Sequence, residues 1–572
     1  MSADDFKIET PHAAVIVWNY KDRIGTEQMT DDSKSSGIKN SDLHKIGSTI
    51  ISTLSTISIQ TSKSKGQVAG TFQLVLAPTR NWVSVLTAGS WCCILMSNNP
   101  ISKTNFTSAK ADMVKMVGRI ESVRVDTSID DTGTLRTHYL VSGVDWGHIF
   151  DSSFYIDNHL ASDKDPITFG TAHAIAVRKL MFGDNNIPQL FDVTKNLEGL
   201  MRIFGQTITG WGDLGVNRLE STVYNFNMPK LMADFFKFPS TTINDNRVLK
   251  LEVGKLVGNN KYKDAKEAVG YINPMTLQGS HTIWQILLEN SNPAMNEMFP
   301  EMVWNGDSVK LTLYNRIRPF SYKNFDAASQ SSGPKSYFQY VKMHNIDTIK
   351  VISLNTGTNW RDKYNFIEIR PLSQEFTIFD NYTKQKSQTY DLNAFEREGF
   401  RPMIIDTKQV PAKAVSTTEL RGIIDFDEIG NWAKIMREWY FNTHRMLNGT
   451  LVMQGTTEYI GVGDNIKFDE RLLNPTPNIN TKTNKEHKHA SILAHVETIN
   501  HTFTINPNGA RMYRTTIQFV RGIIVRTKDN ILLSDVALDQ DSTKISYGVS
   551  KNTTNTFSAS DDSDPDKQKG VW

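Results

Sequence analysis

The chain has 572 residues, 39% of them hydrophobic and 10% aromatic, which is enough apolar side chain for several cores and too much length for one. Its 63 Lys and Arg nearly balance 61 Asp and Glu, leaving a net charge of +2, and without a basic run there is no electrostatic footprint for a nucleic-acid backbone. No apolar run approaches the roughly 18 to 20 residues of a membrane helix, and the two cysteines, Cys92 and Cys93, are neighbours in one apolar strand, which excludes a disulfide framework and suits a reducing compartment.

In chain order, an acidic start (Met1 to Asp5) lacks the basic residues of a secretory leader, so no cleaved leader is expected. His12 to Tyr20 reads as an apolar strand, and polar Thr26 to Lys45 as a long loop. Ile46 to Ile59 is rich in Ile and Thr, whose branched side chains favour strands. A first β-barrel then extends to about Phe150. From Thr168 the periodicity turns helical in Ala172 to Phe182, and again after Asp192, a plausible N-cap. Ser280 is expected to cap a helix through Trp284, Ile286, Leu287 and Leu288, and Asn292-Pro293 to restart one carrying Met295, Met298 and Phe299.

Alternation returns in Lys310 to Pro319, as the start of a second barrel or of a sheet beside it. After a Ser/Gly/Pro loop at Asp326 to Ser336, Ile346 to Leu354 and Asn365 to Arg370 read as strands. Asp425 to Arg445 carries Ile429, Trp432, Ile435, Met436, Trp439 and Tyr440 on one helical stripe leading into Gly449. Beyond about Ser534 the chain becomes a polar tail too poor in apolar residues to offset the entropy of ordering it, although its terminal Val571-Trp572 is apolar.

Between Gly449 and Gly522 the pattern is that of a meandering barrel. Ile460, Val462, Ile466 and Phe468 alternate around the turn Gly461-Val462-Gly463-Asp464, and Val496, Ile499, Phe503 and Ile505 precede the turn Asn506-Pro507-Asn508-Gly509. Tyr513, Thr515, Ile517 and Phe519 return on one face. A fainter copy runs from Gly70 to Gly143. Gly70-Thr71 answers Gly449-Thr450, Ala88-Gly89-Ser90 answers Val462-Gly463-Asp464, and Arg119 to Val123 answers His495 to Ile499. Gly133 before Arg136-Thr137 answers Gly509 before Arg514-Thr515, and the closing Gly143 answers Gly522. This is an internal duplication; shared turn glycines in unrelated meanders are the structural alternative. Ser90 stands where the second copy has Asp464, so a differently shaped turn is expected there.

The block GTLVMQG, IGVGDNIKF, HVETINHTFTINPNG and YRTTIQFVRG (449–522), preceded by its amphipathic helix, resembles the second tube-type barrel of central hub proteins from contractile-tailed bacteriophage baseplates. The block GTFQLVLAPTRNWVSVLTAGSWCCILMS, GRIESVRVD and YLVSGVDWGHIF (70–150) is similar to their first barrel. The resemblance implies a mainly β fold with α+β insertions, containing two related tube-type β-barrels, a mixed helical middle and a disordered C-terminal tail. It also implies a non-enzymatic homotrimer in the virion tail baseplate, assembled in the host cytoplasm. Its partners would be the tail tube or a tube-initiator protein on one side, a trimeric spike on the other, and further baseplate proteins. Neither nucleic-acid sequence recognition nor stable membrane insertion is expected.

Residues 1–165 are assigned to the first barrel, 166–306 to a mixed middle domain, and 307–424 to strands beside the second barrel. Residues 425–530 are assigned to the helix and second barrel, and 531–572 to a flexible tail. The ring or barrel wall is expected to rest on Phe72, Leu74, Trp91, Ile94, Ile120, Val123, Ile460, Val462, Ile466, Phe468, Val496, Ile499, Phe503, Ile517 and Phe519.

Chemical sites fare poorly. Gly210-Trp211-Gly212-Asp213-Leu214-Gly215 matches a dinucleotide fingerprint, but no strand-turn-helix context surrounds it, so it reads as a turn and no cofactor is expected. His487, His489, His495 and His501 lack the spacing of a metal site. No nucleophile elbow, metalloprotease helix or phosphate-binding lysine loop occurs. Asp31-Asp32, Asp130-Asp131 and Asp561-Asp562 read as solvated loop charges. The alternative function is a tail-associated cell-wall hydrolase with its site in Thr168 to Gly306, since a glycosidase's two carboxylates need not be neighbours in sequence.

Overall fold

A computed structural model describes residues 10–18, 48–101, most of 112–156, short pieces between 235 and 288, most of 296–318, 341–371, most of 388–472, and 491–534 apart from two positions. The helices read in 172–204, the fingerprint at 210–215 and the tail from 535 lie outside the described residues.

Two closed β-walls share one sheet. The first comprises β1 (His12–Trp18), β2 (Ser48–Ile51), β3 (Thr56–Ser64), β4 (Thr71–Leu76), β5 (Trp91–Ser97), β6 (Val114–Ile129) and β7 (Leu135–Asp145). Its order is β3-β4-β7-β6-β5-β1-β2. It closes because β2 and β3 are one bent strand, turned by the 3₁₀ segment Thr53–Ser55. The Thr53 hydroxyl fixes that corner by accepting from Ala13 N and donating to Ala13 O. Alternation sends Ile59, Phe72, Leu74, Ile94, Ile120 and Val141 inward, and the short helix Trp82–Val85 drops the fully buried Trp82 into the same core.

After β8 (Asn296–Asn305) and β9 (Ser308–Ile317) comes the second wall. It comprises β10 (Met343–Asn345), β11 (Val351–Gly357), β12 (Leu447–Gln454), β13 (Asn465–Asp469), β14 (Ser491–Ile505) and β15 (Arg511–Lys528). Here too a bent strand closes the circle: β10 pairs with β13, the 3₁₀ turn Thr348–Lys350 follows, and β11 pairs with β12. The first wall has β1 inserted where the second pairs β10 directly with β13. The directions agree, since β2 is antiparallel to β1 and β1 to β5, which leaves β2 parallel to β5 as β10 is to β13.

The copies match in detail. Gly89 and Gly463 both take positive φ, at 86° and 81°, which glycine adopts without a Cβ clash. Gly89 N donates to Ile120 O and Ile120 N to Ser90 O; Gly463 N donates to Val496 O and Val496 N to Asp464 O. Ser90 therefore ends a turn of the same backbone shape as Asp464, contrary to expectation, because the shape is set by the glycine and the cross-strand bonds. Register shifts fall at Ile120/Ser122 and at Val496/Thr498, and again at Thr56/Ser58 and Val351/Ser353.

Three of the sequence equivalences slip, the first because Arg136 faces Ser128 as Met512 faces Thr504, so the counterpart of Arg136 is Met512 and not Arg514. Phe72 faces Gly143, while Gly449 faces Phe519, so the structural partner of Gly143 is Phe519, not Gly522, and that of Gly449 is Phe72. The large and small residues have exchanged strands.

Further readings change. Met298 and Phe299 lie in strand β8, not a helix; both faces of that strand are buried, which erases the polar alternation that marks a strand. Ser280–Thr282 is a strand, and the cap is Thr282, whose hydroxyl accepts from Gln285 N while Gln285 Oε1 accepts from Thr282 N. Ile531–Ser534, assigned to the tail, forms strand β16 against β15. The β8–β9 hairpin runs across the boundary drawn after Gly306 and, with parallel Leu249–Val253, makes a sheet beside the second wall. In 425–445, described residues Ala433, Met436, Arg437, Trp439 and Tyr440 are helical, with Ala433, Met436 and Trp439 buried.

Candidate functional site: the seam between the barrels

The two walls meet where β3 pairs antiparallel with β14, from Thr498↔Ser64 to Thr504↔Ser58. The bonding continues past the strand end, with Lys65 N donating to Glu497 O. The joint is also packed. Phe503, on a second-barrel strand, is fully buried in the core of the first, beside Ile59 and Tyr513.

At one end of the joint lies a buried ionic cluster centred on the β3 run and β8, with side chains from the end of β7, from β14 and from β15. Lys63 and Lys65 share one face of the β3 run, two residues apart, and Glu297 and Glu301 share one face of β8, four apart. Lys63 Nζ is 3.0 Å from Asp145 and 3.4 Å from Glu301, and 5.9 Å from the Trp146 ring centre. Lys65 Nζ is 2.8 Å from Glu297 and 2.9 Å from Glu497. Glu301 also accepts from Tyr459 Oη, from Val462 N at 2.9 Å and from Met302 N at 2.8 Å. Arg521 stands 3.8 Å from Glu297 and His495 Nε2 3.6 Å from the same carboxylate.

Burial opposes the charge on Lys63, but the Asp145 and Glu301 carboxylates outweigh it and hold the ammonium above its ordinary range. Burial, reinforced by Lys65 and Arg521, holds His495 well below its ordinary value, so its imidazole is neutral. Arg521 has φ of 58°, a left-handed backbone unusual for a residue with a Cβ. Its N–H donates to the Asn448 side chain at the register shift between Leu447 and Gly449. Through these pairs β8 is bolted across the ends of both barrels. Such an arrangement fixes geometry; its ions are engaged with one another.

The sequence-predicted wall residues fall into three groups. Phe72, Leu74, Ile94 and Ile120 are in the first core with Val123 at its margin, joined by Phe503 across the seam. Ile460, Val462, Ile466, Phe468, Val496, Ile499, Ile517 and Phe519 are in the second. Trp91 is buried outside both clusters, with the Arg119 guanidinium 5.2 Å from its ring. Sequence reasoning missed Lys63, Lys65, Glu297, Glu301 and Arg521. The available signal was charge at positions in register with apolar neighbours, as in Ile59, Thr61 and Lys63.

His495 and His501 lie within β14, buried, with Nδ1 of each at 3.0 Å from Asn465 Oδ1 and Thr515 Oγ1 respectively. Among the described residues no group of three or more His, Cys, Asp or Glu is placed to hold a metal, and no helix is long and apolar enough to cross a membrane. Burial raises the thiol pKa of both Cys92 and Cys93.

No family model matches the chain, and no curated protein does. Among solved structures, a tail protein from Neisseria meningitidis MC58 aligns at 10% identity over 92% of this chain and 99% of its own, with a TM-score of 0.40. The 43 kDa tail protein of prophage MuSo2 from Shewanella oneidensis aligns at 11% identity over 83% and 95%, with a TM-score of 0.38. A half-lidded PdpA-VgrG complex from Francisella aligns at 6% identity over 90% of this chain and 58% of its own, with a TM-score of 0.36.

Proposed function

We propose that this chain is a structural hub of a phage tail baseplate, a homotrimeric ring joining a hexameric tail tube to a trimeric cell-puncturing spike. The observation that carries the reading is the duplication: one chain supplies two barrels of the same topology joined edge to edge by β3 and β14. Three such chains offer six similar units on one side and threefold symmetry elsewhere, and closed cyclic symmetry is the usual form of homo-oligomers. The resemblance of 70–150 and 449–522 to hub barrels supports the same conclusion. So does the seam, whose buried pairs hold two barrels in fixed relation, as a load-bearing wall requires. The role is binding and transmission of force, without catalysis, in the virion tail after assembly in the host cytoplasm. The remaining partners are the tube or its initiator, the spike and other baseplate proteins.

Light scattering coupled to size exclusion tests the ring. The expected mass is about three times the 64.6 kDa of the chain. A monodisperse monomer at micromolar concentration, with or without spike protein, overturns the reading.

A further inference from the structure

Resting on that trimeric reading, we infer that the ring closes through a second copy of the seam, in which β11 of one chain pairs antiparallel with the distal half of β6 of the next, in a register set by the intrachain joint.

The inference rests on a comparison of edges. On β14 one edge changes partner at a register shift: β13 pairs with it as far as His495, and β3 from Thr498 onward. β6 is its counterpart, pairing with β5 as far as Arg119 and shifting register at Ile120/Ser122. Beyond Ser122, among the described residues, no strand pairs with that edge. Likewise β3 lies between β4 and β14, whereas its counterpart β11 pairs with β12 alone among the described residues. Among the described residues, each chain therefore has one joint made and the two halves of an equivalent joint without a partner strand.

Burial follows the same rule. On β14 the distal residue Phe503 is fully covered by the first barrel. On β6 every residue from Arg124 to Ile129 is exposed, including Val125 at 50% and Ile129 at 70%. On β11, Ile352 is 50% exposed. Long unpaired apolar edges invite pairing.

Register follows from the matched positions. Ile59 faces Leu74 as Leu354 faces Leu451, and Val123 faces Val141 as Ile499 faces Ile517. The intrachain pairs Phe503↔Ile59, His501↔Thr61 and Thr502↔Gln60 thus become Thr127↔Leu354, Val125↔Thr356 and Asp126↔Asn355 between chains. The copied joint ends one residue further on, at Ser128 and Ser353, the counterparts of Thr504 and Ser58, beside the exposed Ile129 and Ile352. The occupant of each edge is a second copy because the complementary edge exists on the same chain, at the position the duplication requires.

Cysteine cross-linking in the full chain tests this. Residues opposite one another in an antiparallel pair have Cα atoms about 4.5–5.5 Å apart, within disulfide reach. Val125→Cys with Thr356→Cys should, on mild oxidation, give covalent species ending at three chains. Asp126→Cys with Asn355→Cys gives a second matched pair at exposed positions, should the first disturb folding. Val125→Cys with Ile352→Cys is the mismatched control, roughly 13 Å out of register, and should link several-fold less. Native Cys92 and Cys93 are buried, and each single-cysteine variant should remain uncross-linked. A trimeric mass without cross-linking at either matched pair, or with equal linking in the mismatched pair, overturns this register and leaves the ring standing. A monomeric mass overturns both.

Discussion

Lys115 shows how a single side chain ties the barrels together away from the ionic cluster. It is buried on β6, and its Nζ donates to Asp112 O, to Thr456 Oγ1 at 3.2 Å and to Glu458 O at 3.3 Å, the last two beside the second barrel. Burial brings its pKa down to about 7, against the opposing pull of Asp112 and Glu458. The unfolded chain titrates this group at the ordinary lysine value of 10.5. Between these values the unfolded state holds a proton that the folded state has released, so stability rises with pH across the window and is flat, for this group, below about 7. Lys115→Met removes that contribution. The denaturation midpoint of the native chain should climb more steeply from neutral to alkaline pH than that of the variant, and parallel profiles would show that the amine keeps its proton. The Lys65 and Glu297 pair adds a direct charge partner to the same burial. Both partners are enclosed, burial holds Lys65 below its ordinary value against the pull of Glu297, and removing one partner of such a pair strands the other, at about 3–5 kcal/mol.

At the scale of strands and turns, two glycines that look alike in sequence should behave differently. Gly133 takes a φ of 80° in the β6–β7 turn, and a Cβ there meets nothing within 4 Å; Gly133→Ala costs only the left-handed backbone, about 1–2 kcal/mol. Gly143 lies in β7, where a Cβ would sit 2.1 Å from Arg119 O and 2.3 Å from the Phe72 ring. Gly143→Ala must push backbone apart, so its thermal midpoint should fall well below that of Gly133→Ala, and a reversed order would mean the strands can separate cheaply. These glycines also mark what the sequence could disclose. Turn glycines at Gly89 and Gly463, and at Gly133 and Gly509, carry the duplication openly, because positive φ restricts residue choice. The exchange of Phe72 and Gly143 for Gly449 and Phe519 hides it, since each copy fills the same space from the opposite strand and the residue types no longer align. Strand β8 was illegible for another reason. With Glu297, Met298, Phe299 and Glu301 all buried, the face that carries the two glutamates is enclosed as well, so their charge does not mark a wet face. The seam is the least legible feature, because Lys63 and Glu301 are 238 residues apart and only the fold brings them together.

Over the whole molecule, the continuous sheet and the exchanged core residue imply that the barrels do not melt independently. Phe503 belongs by strand to the second barrel and by packing to the first, so unfolding either exposes it. Truncating a buried Phe typically costs about 3–5 kcal/mol, but here the loss falls on the coupling as well as on one core. Phe503 and its neighbour Tyr513 aside, each barrel keeps its own enclosed cluster, with Trp82 and Leu74 in one and Phe468 and Phe519 in the other. Phe503→Ala should therefore lower stability and also resolve a single cooperative transition into two, the first barrel opening earlier because the cavity lies in its core. Hydrogen exchange read separately on Phe72–Leu76 and on Ile492–Val496 would follow the two barrels: the native chain should exchange both at one common opening energy, and the variant at two. Equal and unchanged protection in both segments would mean that the joint is held by the strand pairing and ion pairs alone, with Phe503 a passenger in the core it enters.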